Sequence, residues 1–580
     1  MRHGNTSGYS WSQDARDDRS SAAQYDPRTD IRKAVLFPEL ASKPIPWLGG
    51  GPDTTRETLG AICNAMVGGG DEPFEASPNP TPAGYTYLGQ FIFHDMAFSH
   101  IFQRQGTKSN PPQAEPGAVA SENTFSLDLN SIYGVGPAFD PHLYETPRAA
   151  GERCRFLLGK TDPSDSPSTL DSLARASSRD LPRIDTNGPF MDTTGVNGCI
   201  EPLISDPRND DQLILSQLHC TLLRIHNRVV DVLVSRGLQP GYAFESTRRF
   251  LTACYRHLVL TDYLKRLLHP LVYDALIGGE RSRVFGDVGP KAAPTAEFIF
   301  GAARFGHAMV RGHYQINALP GGGEADLGLL LKVSSARSPW RVPVPAHWAI
   351  DWTNFFAVGP ASGSSPQSAR RISPFLAETL ARRPLGETGD GTMAAIPFLD
   401  MWRCYTLGLP SGQEVAAQVA ARLAPPRSKG TAHASGTTGD DARLRILGGP
   451  DMLPSKAFAA AYPFSTKNLE EALQHHPSFL TATPLSYYLL QEASILGNDG
   501  AHLGPVGSFI IAHTVAQSLG GAGIEARSAE VASMARIATF SDFLALLDPQ
   551  KVSEGELLSM VQFDGGGEAG RHRRTGTIGS

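Results

Sequence analysis

Leu213, Leu215, Leu218, Leu222, Ile225, Val229 and Leu233 recur at the spacing of one α-helical face. After a break at Gly237–Tyr242, where Gly and Pro punctuate the chain, Phe250–Leu268 continues in the same manner. Two long helices joined at that break are predicted, and they commit the chain to a helix-packed core. The same periodicity runs over Tyr85–Phe102, and further helices are predicted around Arg56–Met66, 295–311, 467–475, 484–496, 505–519 and 539–547. Residues 124–134 read as an extended segment. The predicted fold is mostly α, a single large helical domain over residues 31–564 with long loops and little β, its motif-bearing core at 84–520. Residues 1–30 and 565–580 read as disordered, and 425–444 as a flexible surface insertion.

The 580 residues are 41% hydrophobic, enough to bury a large core. A net charge of -6 argues against a nucleic-acid polyanion as partner. No window approaches the roughly 18 apolar residues of a membrane span. Met1–Ser21 is polar and shows no secretory signal, which gives a cytoplasmic expectation with non-classical secretion as the alternative. The six cysteines, Cys63, Cys154, Cys199, Cys220, Cys254 and Cys404, form no CxxC pair and read as free thiols. Nothing in the sequence sets an oligomeric state.

Five segments carry chemistry. In "GYTYLGQFIFHDMAFSH", Gln90 and His94 share a helical face, while Asp95 turns about 100° away. Such a helix can serve a cavity on one side and a cation on another. Alone, it reads first as a half-buried helix with a hydrogen-bonded histidine. In "TFSLDLN", Thr124, Ser126, Asp128 and Asn130 alternate, so an extended chain would gather four oxygen-bearing side chains on one side. Asp206-Pro207 opens a helix with Arg208 in its first turn and Asp211 one turn on. A cation is unfavourable at that end of a helix, which hints at a role for Arg208 beyond propensity. His307 lies within the largely apolar "FIFGAARFGHAMV". Asp400 and Arg403 flank Trp402 in "FLDMWRCYTLGLP".

The order and spacing of these segments resemble the animal haem peroxidases of the peroxidase–cyclooxygenase superfamily. "LGQFIFHDM" resembles the family's distal helix, so Gln90 and His94 match its distal glutamine and histidine, and Asp95 its calcium-binding aspartate. "TFSLDLNSIYG" resembles the calcium loop, which makes Thr124, Ser126, Asp128 and Asn130 the remaining ligands. Arg208 matches the catalytic distal arginine. "LLRIHNR" is close to a family hallmark. "RFGH" resembles the proximal stretch, with His307 as the iron ligand, and Asp400 falls at the family's proximal asparagine. Arg304 and Arg403 match arginines that hold the haem propionates. The stretch 483–507 resembles the C-terminal part of bacterial members.

The resemblance implies a haem enzyme that uses hydrogen peroxide to oxidise a small-molecule electron donor through a ferryl state, with haem b and Ca²⁺ as cofactors. Phe93 and Asp211 stand where mammalian members carry the acidic residues that esterify haem, and Gln212 where one member has a vinyl-bonded methionine. Non-covalent haem is expected, with an ester through Asp211 as the alternative. A carboxylate at Asp400 in place of asparagine is expected to give His307 more imidazolate character and lower the reduction potential. The competing readings are a fatty-acid dioxygenase of the same superfamily, a catalytically silent haem-binding protein, and a helical scaffold without haem. Dioxygenases carry a radical tyrosine three residues before the proximal histidine. Here that position is Arg304.

Overall fold

The computed structural model describes residues 34–68, 78–97, 99–101, 119–121, 125–147, 152–162, 178–185, 200–286, 293–319, 323–333, 342–358, 365–388, 392–424, 445–520 and 536–561. The segments 1–30, 425–444 and 565–580 lie outside them, as do Thr124 and Cys199. The described residues are mostly helical. Their strands form four two-stranded antiparallel ladders: Ser99–Ile101 with Val119–Ser121, Arg183–Asp185 with Ile200–Pro202, His313–Gln315 with Glu324–Asp326, and Gly386–Glu387 with Met393–Ala394. No helix among the described residues is long and apolar enough to cross a membrane. Among the described residues, Cys63, Cys154, Cys220 and Cys404 form no disulfide.

The elements that build the site are α1 (Pro52–Ala65), α2 (Gly84–Met96), α3 (Leu213–Ser235), α4 (Pro240–Leu258), α5 (Ile396–Thr406), α6 (Leu485–Leu496) and α7 (Pro505–Leu519). Helix α3 is buried almost all round, so it is a central helix rather than a surface one. Buried polar side chains on such a helix need partners, and His226 and Asn227 find theirs. His226 donates through Nε2 to the Cys154 carbonyl at 2.9 Å, which leaves Nδ1 to accept from the Tyr133 hydroxyl at 3.0 Å. Asn227 brackets Phe156, accepting from its N–H at 2.7 Å and donating to its carbonyl at 2.9 Å. The "LLRIHNR" hallmark is thus a structural clamp that ties α3 to Tyr133 and to the chain around Phe156.

Helix α2 lies against α3 and against the turn Gly306–Met309. Its first residue must be glycine because the chain at Phe355–Phe356 crosses close over it. A Cβ on Gly84 would stand 2.4 Å from the Phe356 ring and 2.6 Å from the Phe355 carbonyl oxygen. The sequence pattern carried this helix to Phe102, but it ends at Met96, and Ser99–Ile101 pairs as a strand. Apolar residues satisfy either period over so short a stretch, and pairing with Val119–Ser121 decides.

The 295–311 segment is also less regular than its periodicity suggests. Glu297–Gly301 is a π-helical turn, Ala302–Arg304 a 3₁₀ turn, and Gly306–Met309 a last short helix before extended Val310. Helices α5, α6 and α7 pack around it. The α6–α7 connection is fixed by buried Glu492, which accepts N–H groups of Val506 and Gly507 at the start of α7. Burial pushes its carboxyl up to about 8.

Within the expected extended segment 124–134, the described residues 125–134 are not extended. The chain bends at 125–128, Leu129 is left-handed at φ 59°, and Asn130–Tyr133 is a helical turn. Backbone N–H groups seek the buried Asp95 carboxylate here, and that demand outweighs the period-two pattern.

Candidate active site

Asp206 accepts the Arg208 N–H at 3.0 Å and so starts a 3₁₀ turn, Pro207–Asp210. Helix α3 begins only after it, with the Gln212 side chain capping the Ile214 N–H at 2.8 Å. The single helix predicted from Asp206-Pro207 is therefore two elements. The turn is clamped from outside by Arg183, which forks to Asp180 (3.0 and 3.1 Å) and to Asp210 (2.9 and 3.0 Å). All three side chains are buried, and the two carboxylates hold the guanidinium charged despite burial. Sequence reading missed this network, because Asp210 lies 27 residues from Arg183 on a separate turn and no local spacing links the two.

On the same turn, the Arg208 guanidinium pairs with Asp206 (Nε to Oδ1 3.0 Å, Nη2 to Oδ2 2.6 Å). It also donates to the carbonyls of His94 (2.8 Å) and Ala97 (2.7 Å). The carboxylate offsets the unfavourable cation at the turn's start. The two carbonyls close the C-terminal end of α2, where helical C=O groups lack partners. Arg208 thus fastens the predicted distal helix to the predicted catalytic turn.

His94 Nδ1 lies 2.9 Å from Asn209 Oδ1. Burial and the neighbouring Arg208 charge push its imidazole down to about 4, so it is neutral at ordinary pH. A neutral ring that donates at Nδ1 carries its lone pair at Nε2. Gln90 sits one turn earlier on α2 and is half-buried. Asp211 is buried at the end of the 3₁₀ turn, and its charge also acts on His94. Phe93 points its ring into an edge-to-face cluster with Phe298 (5.3 Å), Phe305 (6.1 Å) and Tyr263 (6.5 Å). It links α2 to the segment that carries His307.

His307 is buried, with Nδ1 2.7 Å from Asp400 Oδ2 on α5. Asp400 Oδ1 is buried without a hydrogen-bond partner. Arg403 stands one turn further on α5 and feels the Arg304 charge, while Arg304 is itself depressed by burial and by the Arg208 charge. Burial, chiefly, pushes Arg403 down to about 10, with Arg304 adding to it. Arg304 Nε is buried and unpartnered. Two guanidinium groups share the field of one carboxylate, Asp400, which is itself bound to His307. Such a cluster has an excess of buried positive charge and calls for an anion. Haem supplies carboxylate side chains and an iron that takes an imidazole nitrogen, so these residues fit haem.

Of the residues expected to bind calcium, Asp95, Ser126, Asp128 and Asn130 are described, and they lie around one loop rather than on a strand face. Asp95 is fully buried and accepts N–H groups of Leu129 and Ser131, both at 3.0 Å. Asp128 accepts from Ser126 Oγ at 2.6 Å and from the Asn130 N–H at 3.1 Å. Burial and the Asp128 charge hold the Asp95 carboxyl above the usual carboxylate range. Among the described residues no group of three or more His, Cys, Asp or Glu side chains gathers as a metal site. A calcium site here rests on two carboxylates completed by hydroxyl, amide and carbonyl oxygens.

Residues 93–326 match the model of the animal haem peroxidase family. The matched stretch contains His94, Asp95, Arg208, Asp211, Arg304 and His307, whereas Gln90, Asp400 and Arg403 lie beyond it. Thyroid peroxidase of Canis lupus familiaris is 25% identical over 250 residues, 40% of this chain and 24% of that one. Peroxidasin homolog pxn-2 of Caenorhabditis elegans is 32% identical over 113 residues, 19% of this chain and 8% of that one. The chain thus spans less than a quarter of the length of these curated relatives. Among solved structures, peroxidase A of Dictyostelium discoideum aligns with a TM-score of 0.48 and 13% identity over 87% of this chain and 89% of that one. The fatty acid alpha-dioxygenase of Oryza sativa aligns with a TM-score of 0.49 and 12% identity over 89% and 81%.

Proposed function

We propose that the protein is a haem-dependent peroxidase that reduces hydrogen peroxide and oxidises a small-molecule electron donor. The observation that carries the reading is the pairing, in one core, of a neutral His94 on α2 with an Asp400-bound His307 beside two under-compensated arginines. His307 would hold the iron through Nε2, and Arg304 and Arg403 would hold the propionates. Bound haem would supply the redox-active iron at which peroxide is reduced.

The remaining chemistry belongs to the chain. His94 accepts the peroxide proton at Nε2 and returns it to the departing oxygen. Arg208 keeps the end of α2 in place and sets a positive field over His94. Gln90 orients peroxide or water on the same face of α2. Asp400 holds the Nδ1 proton of His307 and so fixes which nitrogen is left for the metal. Phe93 offers no carboxylate, so haem is held without an ester at that position. Arg304 in place of tyrosine favours peroxidase over dioxygenase chemistry.

The test is spectroscopic and catalytic. Protein purified with haem supplied should show a ferric Soret band and oxidise a simple phenol only when peroxide is added. Haem-free protein, or haem protein without turnover, would remove the reading. The same reading assigns calcium to Asp95, Thr124, Ser126, Asp128 and Asn130, supported by the two converging carboxylates. A chelator should then lower both the thermal midpoint and the peroxide rate, and unchanged values for both would exclude it.

A further inference from the structure

The Asn209 amide bridges two imidazoles. Its Oδ1 is 2.9 Å from His94 Nδ1, and its Nδ2 is 3.0 Å from His219 Nδ1. Asn209 and His219 are both fully buried. His219 stands on α3 with its ring edge-on to Phe91 of α2, and its Nε2 is buried without a hydrogen-bond partner. Asn209 itself sits on the Pro207–Asp210 turn, which Arg183 and Arg208 clamp on either side.

The polarity of this chain follows from what each atom can do. An amide Nδ2 can only donate, so His219 Nδ1 accepts. Its single proton is then on Nε2. An amide Oδ1 can only accept, so His94 must carry its proton on Nδ1. The Nε2 atom of His94 is left as the lone-pair atom. Reversing the amide would place the His94 proton on Nε2 and abolish its capacity to take another there.

We propose that Asn209, held in this orientation by His219, is a positioning residue that fixes the ring plane and tautomer of His94 for proton acceptance at Nε2. It acts through His94 and touches no reactant. The inference rests on the peroxidase reading, because that reading gives His94 its proton-accepting task. Comparable partners of a functional imidazole typically matter by about 10–100-fold.

The experiment measures cyanide association with the ferric holoprotein by stopped flow, beside the rate of the Soret change on adding peroxide. Hydrogen cyanide must surrender its proton to a distal base as it binds, so this readout does not depend on turnover. Asn209→Val should slow both rates by about 10–100-fold, with haem content, Soret position and the donor KM unchanged. Asn209→Asp keeps the acceptor for His94 and should recover most of the loss. His219→Phe frees the amide to turn and should fall between wild type and Asn209→Val. Should Asn209→Val not fold, the order wild type, Asn209→Asp, His219→Phe carries the same test. Rates within twofold of wild type in Asn209→Val, or in His219→Phe if that variant must serve, overturn the proposal. The two ideas fail separately: if His94→Ala itself reacts like wild type, the peroxidase reading falls. If only His94→Ala is slow, Asn209 has no positioning role.

Discussion

His307→Ala is expected to abolish the native Soret band and to leave the purified protein with little or no haem. His307 is bonded to buried Asp400, whose charge acts on both Arg304 and Arg403. Absorption spectra and haem-to-protein ratios of the two proteins decide it. A His307→Ala variant with a native spectrum would move the axial ligand elsewhere. Two substitutions at Asp400 separate holding from tuning. Asp400→Ala removes the acceptor of the His307 Nδ1 proton and should weaken haem retention by about 10–100-fold. Asp400→Asn keeps an acceptor but removes the charge, so haem should stay and the reduction potential should rise. Redox titration checks the sign, and an unchanged or lower potential counts against the imidazolate argument.

The second large effect is expected at His94. Loss of a positioned acid–base group costs on the order of 10²–10⁴ in rate. His94→Ala should therefore slow the reaction with peroxide by that factor while the ferric Soret band stays, because His94 contributes nothing to iron ligation in this arrangement. Arg208 behaves differently. Its donors hold Asp206 and the carbonyls of His94 and Ala97, so Arg208→Ala should also loosen the end of α2 and lower the thermal midpoint. Stopped-flow rates and melting curves for the pair distinguish the two roles. A His94→Ala protein that reacts at the wild-type rate would remove the acid–base assignment.

Particular residues show what could be read in the chain and what could not. Helix α3 was legible from its leucine spacing, since a buried helix of 23 residues needs apolar side chains on most faces. Gln90 and His94 were legible as a pair, because four residues make one helical turn. Asp95 was legible as facing elsewhere, and its partners at 129 and 131 confirm a separate face. The shape of the 125–133 loop was not legible. Alternating residue types suggested a strand, but the bends and left-handed Leu129 arise from hydrogen bonds to a carboxylate more than 30 residues away. Asn209 was passed over beside Arg208 for a similar reason. Its partners, His94 and His219, come from two different helices, and no local spacing marks it.

The sequence by itself determined the helical class, the residues facing into the core and the chemical types at the motif positions. Helical periodicity is local, and a side chain's chemistry travels with its identity. Only the tertiary structure decided that His307 meets Asp400 across 93 residues, that Arg208 closes the end of α2, and that an amide links His94 to α3. Those contacts join segments far apart in the chain. Each buried polar group there must find a partner, and the fold alone brings the partner within reach.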